Sequence, residues 1–147
     1  MRKEFSVYLK EIISRNENVY VLLGDISVGL FLDEGDELYK NVSNLGILEQ
    51  SMISYAAGLA RSGVTPFVHT ISPFIIERAY EQIKLDLSYN KCKCIMVSAN
   101  GPFDYNKLGP THHCSSDVPL LALLGNIEIY LPGTTQDVRS CIDLSLE

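Results

Sequence analysis

Apolar positions recur along the chain in two periods, and the places where one period gives way to the other outline the fold. Phe5, Leu9, Ile12 and Ile13 form a stripe at helical spacing, so the chain opens on a helix that Asn16-Glu17-Asn18 ends. Val19-Tyr20-Val21-Leu22-Leu23 is an unbroken apolar run and predicts a buried strand leading into Gly24-Asp25. Leu30 to Glu37 is acidic and contains glycine, which reads as a loop, and Tyr39 to Val42 predicts a short second strand. Leu48, Met52, Tyr55, Ala56 and Leu59 then mark the inner face of a helix that ends near Gly63. Pro66 to Thr70 predicts a third strand, with the proline at its start, where a missing N–H does little harm. Phe74 to Leu87 predicts a helix with Ile76, Ala79, Tyr80, Ile83 and Leu87 on one side, and Cys94 to Ser98 a further strand.

From Ala99 to Ser116 the chain is rich in Gly, Pro, Asn, His and Asp. A loop of that length inside a domain is uncommon and is usually functional. Asp117 reads as the N-cap of a short helix with Pro119 in its first turn. Ile127 to Leu131 predicts the last strand, and Thr134 or Thr135 caps a final helix that includes Val138, Ile142 and Leu144. Strands alternating with helices predict an α/β fold, a mainly parallel sheet flanked by helices on both faces. Ligands of such sheets lie beyond the carboxyl ends of the strands. Those ends carry Gly24-Asp25, Thr70-Ile71-Ser72, Ser98-Ala99-Asn100 and Leu131-Pro132, which places the long loop on the same rim as Asp25.

Composition narrows the class. The 147 residues suit one domain with one core, and 46% hydrophobic with 20% charged residues is ordinary for a globular protein. No apolar run approaches the ~20 residues of a membrane span. The first eight residues lack the apolar segment of a secretory signal, so a cytoplasmic location is expected. Four cysteines at no framework density suit a reduced compartment. Cys92 and Cys94 would face opposite sides of a strand and no second pair follows, so no metal ligands are assigned. The net charge of −6 comes without a basic stripe, which argues against a nucleic-acid partner.

Glu49 carries the most suggestive chemistry. It falls in the first turn of its helix, where anions are favoured, beside an apolar face. Standing alone it reads as a helix-start carboxylate, and the motif around it is what points to chemistry. Asp25 reads equally as a turn residue or a ligand neighbour, and Phe74 as a core aromatic or a ligand platform. His112 and His113 read as functional, since a loop offers little core to fill. His69, between Val68 and Thr70, reads as structural, and Arg78 and Glu81 as a solvated or interface pair.

Five blocks then fall in order: Gly24-Asp25-Ile26-Ser27; Asn44-Leu45-Gly46-Ile47-Leu48-Glu49-Gln50 with Ala56-Ala57-Gly58-Leu59-Ala60; Pro66-Phe67-Val68-His69-Thr70; Phe74 with Arg78-Ala79-Tyr80-Glu81-Gln82-Ile83; and Gly109-Pro110-Thr111-His112-His113 with Asp117. Together they resemble the pyrimidine-binding domain of transketolase and its thiamine-diphosphate-dependent relatives, over nearly the whole chain. The resemblance implies thiamine diphosphate as cofactor. Glu49 would bond the aminopyrimidine ring nitrogen and promote the tautomer that activates the thiazolium carbon. Phe74 would pack on the pyrimidine, Asp25 and Ser27 would lie near the thiazolium, and His112 would face the substrate. Ile71 stands where the family usually has an aromatic platform, and Ala99-Asn100 where it often has a histidine, which leaves the substrate open.

The family's Gly-Asp-Gly segment and its third domain have no counterpart in these residues. The resemblance therefore implies a single pyrimidine-type domain over 1–147 that lacks its last strand. Its partner, a diphosphate-binding subunit or domain, would hold Mg or Ca, in a split enzyme or a longer chain that forms a homo- or hetero-oligomer. Ser51, Ser54, Gly58 and Ser62 would suit close subunit contact. The implied reaction is transfer of a two-carbon ketol unit between sugar phosphates. A 2-oxoacid decarboxylase β-subunit and a non-catalytic regulatory subunit stay open as alternatives.

Overall fold

Helix α1 (Arg2–Arg15) lays Phe5, Leu9 and Ile13 against one face of a parallel sheet, as the opening stripe requires. The computed structural model describes residues 1–147. Its four strands are β1 (Val19–Leu23), β2 (Val42–Asn44), β3 (Thr65–Ile71) and β4 (Ile95–Ala99), in the order β2-β1-β3-β4. The register pairs Leu23 with both Asn44 and His69, and His69 with Val97, so the strands end along one rim. Strand β1 is covered on both sides, as a central parallel strand must be. Val19, Val21 and Leu23 face α1 and the last helix, α5 (Thr135–Leu146), through Val138 and Ile142. Leu22 faces α2 (Glu49–Arg61) through Met52, Ile53, Ala56 and Ala57. Helices therefore lie on both faces, as the pattern predicts. No helix is long and apolar enough to cross a membrane.

Several elements depart from the pattern. Strand β2 starts at Val42, not Tyr39, because Tyr39 is drawn into a turn against Phe31 (N–H to O, 2.8 Å). The buried side of α2 is Glu49, Met52, Ile53, Ala56 and Ala57, while Leu48 and Tyr55 are 56% and 53% exposed. The small pair Ala56-Ala57 docks on the sheet, and that rotation moves Glu49 from beside the inner face onto it. The helix expected over Phe74 to Leu87 is a single α turn, α3 (Tyr80–Gln82), between two wider π-type turns, Pro73–Glu77 and Ile83–Tyr89. Ile76, Ala79, Ile83 and Leu87 still face inward.

The expected last strand does not form. Ile127 to Leu131 runs as irregular chain, Leu131 is 75% exposed, and β4 has no neighbour on its outer side. An edge segment gains ladder bonds from one neighbour only, so alternation alone does not secure its pairing. A cavity of about 980 Å³ opens there, lined among others by Ile95, Val97, Ile127, Ile129 and Ile142. Cys92 and Cys94 precede β4 and do not lie within it. Ser116, not Asp117, holds the N-cap position of α4 (Asp117–Ala122) without a side-chain bond to the helix, and the Asp117 carboxylate accepts the Val118 N–H at 2.8 Å. Thr134 caps α5 in a capping box with Asp137.

Candidate functional site

The strand order turns back between β1 and β3, the place where parallel sheets open a crevice for ligands. Gly24 ends β1 there and gives its N–H to the His69 carbonyl at 2.9 Å. A Cβ on Gly24 would come within 2.9 Å of the Thr70 Cβ and 3.2 Å of the Met52 sulfur, so only glycine lets these segments approach. Asp25 and Ser27 follow in the left-handed region, at φ 59° and 60°.

Asn44, the last residue of β2, holds that turn in place. Its Oδ1 accepts the N–H groups of Asp25 (2.9 Å) and Gly46 (3.2 Å), and its Nδ2 donates to the Asp25 carboxylate at 3.2 Å. One side chain thus links the end of β1 to the approach to α2. Ser27 and His69 form a second link. His69 Nδ1–H donates to the Val97 carbonyl at 2.8 Å, which leaves Nε2 to accept the Ser27 hydroxyl at 3.0 Å. Burial pushes His69 down to about 4, with the Arg2 charge acting in the same sense and the Val97 carbonyl opposing, so the ring is neutral at pH 7.

Glu49 is buried, 1% exposed, in the first turn of α2. Its Oε2 accepts an N–H from Arg78 Nη1 at 2.8 Å. The same guanidinium lies over the Phe74 ring, with its carbon 4.2 Å from the ring centroid. Arg78 follows Phe74 by about one turn, with its N–H on the Pro73 carbonyl at 3.0 Å, and the two side chains share one side. The His112 ring meets Phe74 edge-on at 5.1 Å and Tyr105 at 6.0 Å, and its Nδ1 lies 3.1 Å from the Thr111 hydroxyl.

The predicted residues therefore fall into two groups. Glu49, Phe74 and His112 form a contiguous series with Arg78 between the first two. Asp25 and Ser27 are engaged with Asn44 and His69, and no hydrogen bond joins this group to Glu49. Ile71 is half-buried at the end of β3, opposite Ala99. Arg78, expected as a solvated or interface pair with Glu81, is exposed and pairs with Glu49. Its place four residues after Phe74 signals the stacking, but nothing local signals a partner 29 residues upstream. Asn44 before Leu45-Gly46 carries the mark of a side chain that bonds its own turn.

The long loop holds itself by short-range bonds, Gly101 N–H to Asp104 at 2.9 Å and Cys114 N–H to the Pro102 carbonyl at 2.9 Å, and the Ser116 hydroxyl bonds Glu77. Asn100 Oδ1 and His113 Nε2 are buried without a partner. Burial, with the Glu77 and Asp117 charges, pushes the Cys114 thiol up to about 12.

Residues 1–147 match the family described as transketolase, pyrimidine binding domain. An apulose-4-phosphate transketolase subunit of Actinobacillus succinogenes is 37% identical over 110 residues, 75% of this chain and 35% of that one. The subunit of the same name from Phocaeicola vulgatus is 30% identical over 147 residues, 99% of this chain and 47% of the relative. A putative transketolase C-terminal section of Methanocaldococcus jannaschii is 30% identical over 97% of this chain and 45% of its own length. The chain thus spans less than half the length of these relatives. Among solved structures, a split gene transketolase in an inactive β4 tetramer superposes with a TM-score of 0.83 at 25% identity, over 98% of this chain and 46% of that one. Transketolase from Leishmania mexicana shares the fold, with a TM-score of 0.84 at 19% identity, over 99% of this chain and 23% of the other.

Proposed function

The chain belongs to the transketolase pyrimidine-binding domain family, and from that premise we propose that it forms the pyrimidine-binding part of a thiamine-diphosphate-dependent, transketolase-like enzyme. The observation that carries the reading is Glu49, a carboxylate 1% exposed in the first turn of α2, just after the carboxyl end of β2, with an aromatic ring in the same cluster. An aminopyrimidine presents a basic ring nitrogen and a flat face. Glu49 and Phe74 offer a buried carboxyl group and an aromatic surface, so the residues present fit that group. Thiamine diphosphate, when bound, supplies the carbon nucleophile with which a ketose is cleaved beside its carbonyl.

The chain's own residues take the remaining roles. Glu49 shares its proton with the pyrimidine ring nitrogen, and its burial keeps water from competing for that hydrogen bond. Phe74 and the neighbouring Ile71 form the apolar wall behind the ring. Asp25 and Ser27, fixed by Asn44 and His69, line the thiazolium side. His112, on the loop beside Phe74, orients the substrate oxygen or relays its proton. The diphosphate and its Mg or Ca are assigned to a partner subunit or domain.

The relatives that are named as transketolase subunits and the β4 assembly of the split gene transketolase support an oligomer with such a partner. The substrate class is a sugar phosphate and the setting the cytoplasm. Residues 1–147 serve as one pyrimidine-type domain of that assembly. Purification of the native assembly tests the reading. It is expected to contain a Gly-Asp-Gly segment in another domain or chain, and to transfer a two-carbon unit from a ketose phosphate to an aldose phosphate. An assembly that releases carbon dioxide from a 2-oxoacid, or turns over neither substrate, overturns it.

A further inference from the structure

Arg78 makes, by itself, both contacts that the proposed function assigns to the pyrimidine. Its planar guanidinium lies 4.2 Å over the Phe74 ring, and its Nη1–H reaches Glu49 Oε2 at 2.8 Å. A flat, hydrogen-bonding group stacked on Phe74 and bonded to Glu49 describes the guanidinium and an aminopyrimidine alike, and Glu49 Oε2 with the covered face of Phe74 cannot serve both at once. Resting on that reading of the site, we infer that Arg78 competes with the cofactor's pyrimidine ring for Glu49 and Phe74, and sets its affinity by having to swing aside.

The two partners differ in what separation costs them. The Arg78 side chain is 37% exposed, so its head group is already in reach of water and loses little on leaving. The Glu49 side chain is 2% exposed, and a carboxylate buried that far is costly when nothing pairs with it. Arg78 therefore supports the fold by answering the Glu49 charge, and an incoming ring has to take over that duty. The wide turn Pro73–Glu77 places Arg78 at its end, where the side chain has solvent to turn into. Competition and support make opposite demands on a variant lacking the guanidinium. Stability in the absence of ligand falls, and affinity for the ring rises. A residue that merely buttressed the pocket would lose both.

Thiamine, which carries the pyrimidine and thiazolium rings and no diphosphate, is the probe. It is titrated calorimetrically into the native assembly as wild type, Arg78→Ala and Arg78→Lys, alongside denaturation midpoints measured without ligand. Arg78→Ala is expected to bind thiamine at least about tenfold more tightly, with a lower midpoint. Arg78→Lys, which keeps the charge and loses the flat stack on Phe74, is expected to fall between it and the wild type. Equal or weaker binding by Arg78→Ala overturns the competition and leaves the cofactor reading standing. Should Arg78→Ala not fold, Arg78→Lys decides: tighter binding supports the inference, equal or weaker binding overturns it. If neither the wild type nor any variant binds thiamine, the cofactor reading falls and the competition falls with it.

Discussion

His69 makes the stability of this domain depend on acid in a way that can be worked out from its surroundings. An exposed histidine titrates near 6.5, and burial brings His69 down to about 4. Between those values the unfolded chain binds a proton that the folded chain refuses, so stability is full above about pH 6.5 and declines as the pH falls toward 4. The whole window corresponds to roughly 3 kcal/mol, and the span from pH 7 to 4.5 to about 2 kcal/mol of it. The cause is local. The ring is buried, with Phe5 covering it at 4.8 Å, so a second proton brings a charge that has lost its hydration; the Val97 carbonyl opposes this and the Arg2 charge adds to it. The perturbation is His69→Gln, which keeps an amide donor and acceptor and removes the titration. Urea denaturation of both proteins at pH 7, 5.5 and 4.5 gives the difference, in which the carboxylates common to both cancel. The variant's disadvantage at pH 7 should shrink by about 2 kcal/mol at pH 4.5. Parallel stability curves, or a His69 resonance titrating near 6.5, would refute the reasoning.

Three further perturbations test the framework around the site. Gly24→Ala forces a Cβ to within 2.9 Å of Thr70, and should cost about 1–3 kcal/mol in urea denaturation; a change under ~0.5 kcal/mol would show that β1 and β3 yield more easily than packed strands do. Thr134→Ala removes the capping box of α5 and should cost about 1 kcal/mol, with faster amide exchange in the first turn of that helix. Arg139 joins α5 to α1 through Glu4 (2.5 Å), Glu11 (3.0 Å) and the Tyr8 ring, so Arg139→Met should lower the urea midpoint at low salt. About 0.5 M salt should narrow the gap to wild type by screening the exposed pairs.

What the chain spells out locally is legible in its sequence. The run Val19 to Leu23 is apolar at every position and forms a strand buried on both faces. Thr134 with Asp137 three residues on is a cap written entirely in neighbouring residues. Pattern and structure part where the outcome depends on distant packing. The tilt of α2 follows from Ala56-Ala57 docking on the sheet, and the apolar spacing alone favours a face that includes Tyr55. The pairing of Ile127 to Leu131 depends on an edge, and nothing in the apolar spacing after Phe74 marks the widening of its turns. The site divides the same way. Glu49, Phe74 and His112 follow from motif order and come together in space, whereas the pairing of Glu49 with Arg78 bridges residues that no local pattern connects.

The central claim is that the buried carboxylate of Glu49 handles a proton in the reaction and is more than a packed helix start. Turnover of the native assembly carrying Glu49→Gln tests it most directly, with ketose phosphate and aldose phosphate saturating and folding verified by the denaturation midpoint. Glutamine keeps the shape and a hydrogen-bond acceptor but holds no transferable proton, so kcat should fall roughly a hundredfold or more. A Glu49→Gln assembly that folds normally and turns over within about twofold of wild type would contradict the account.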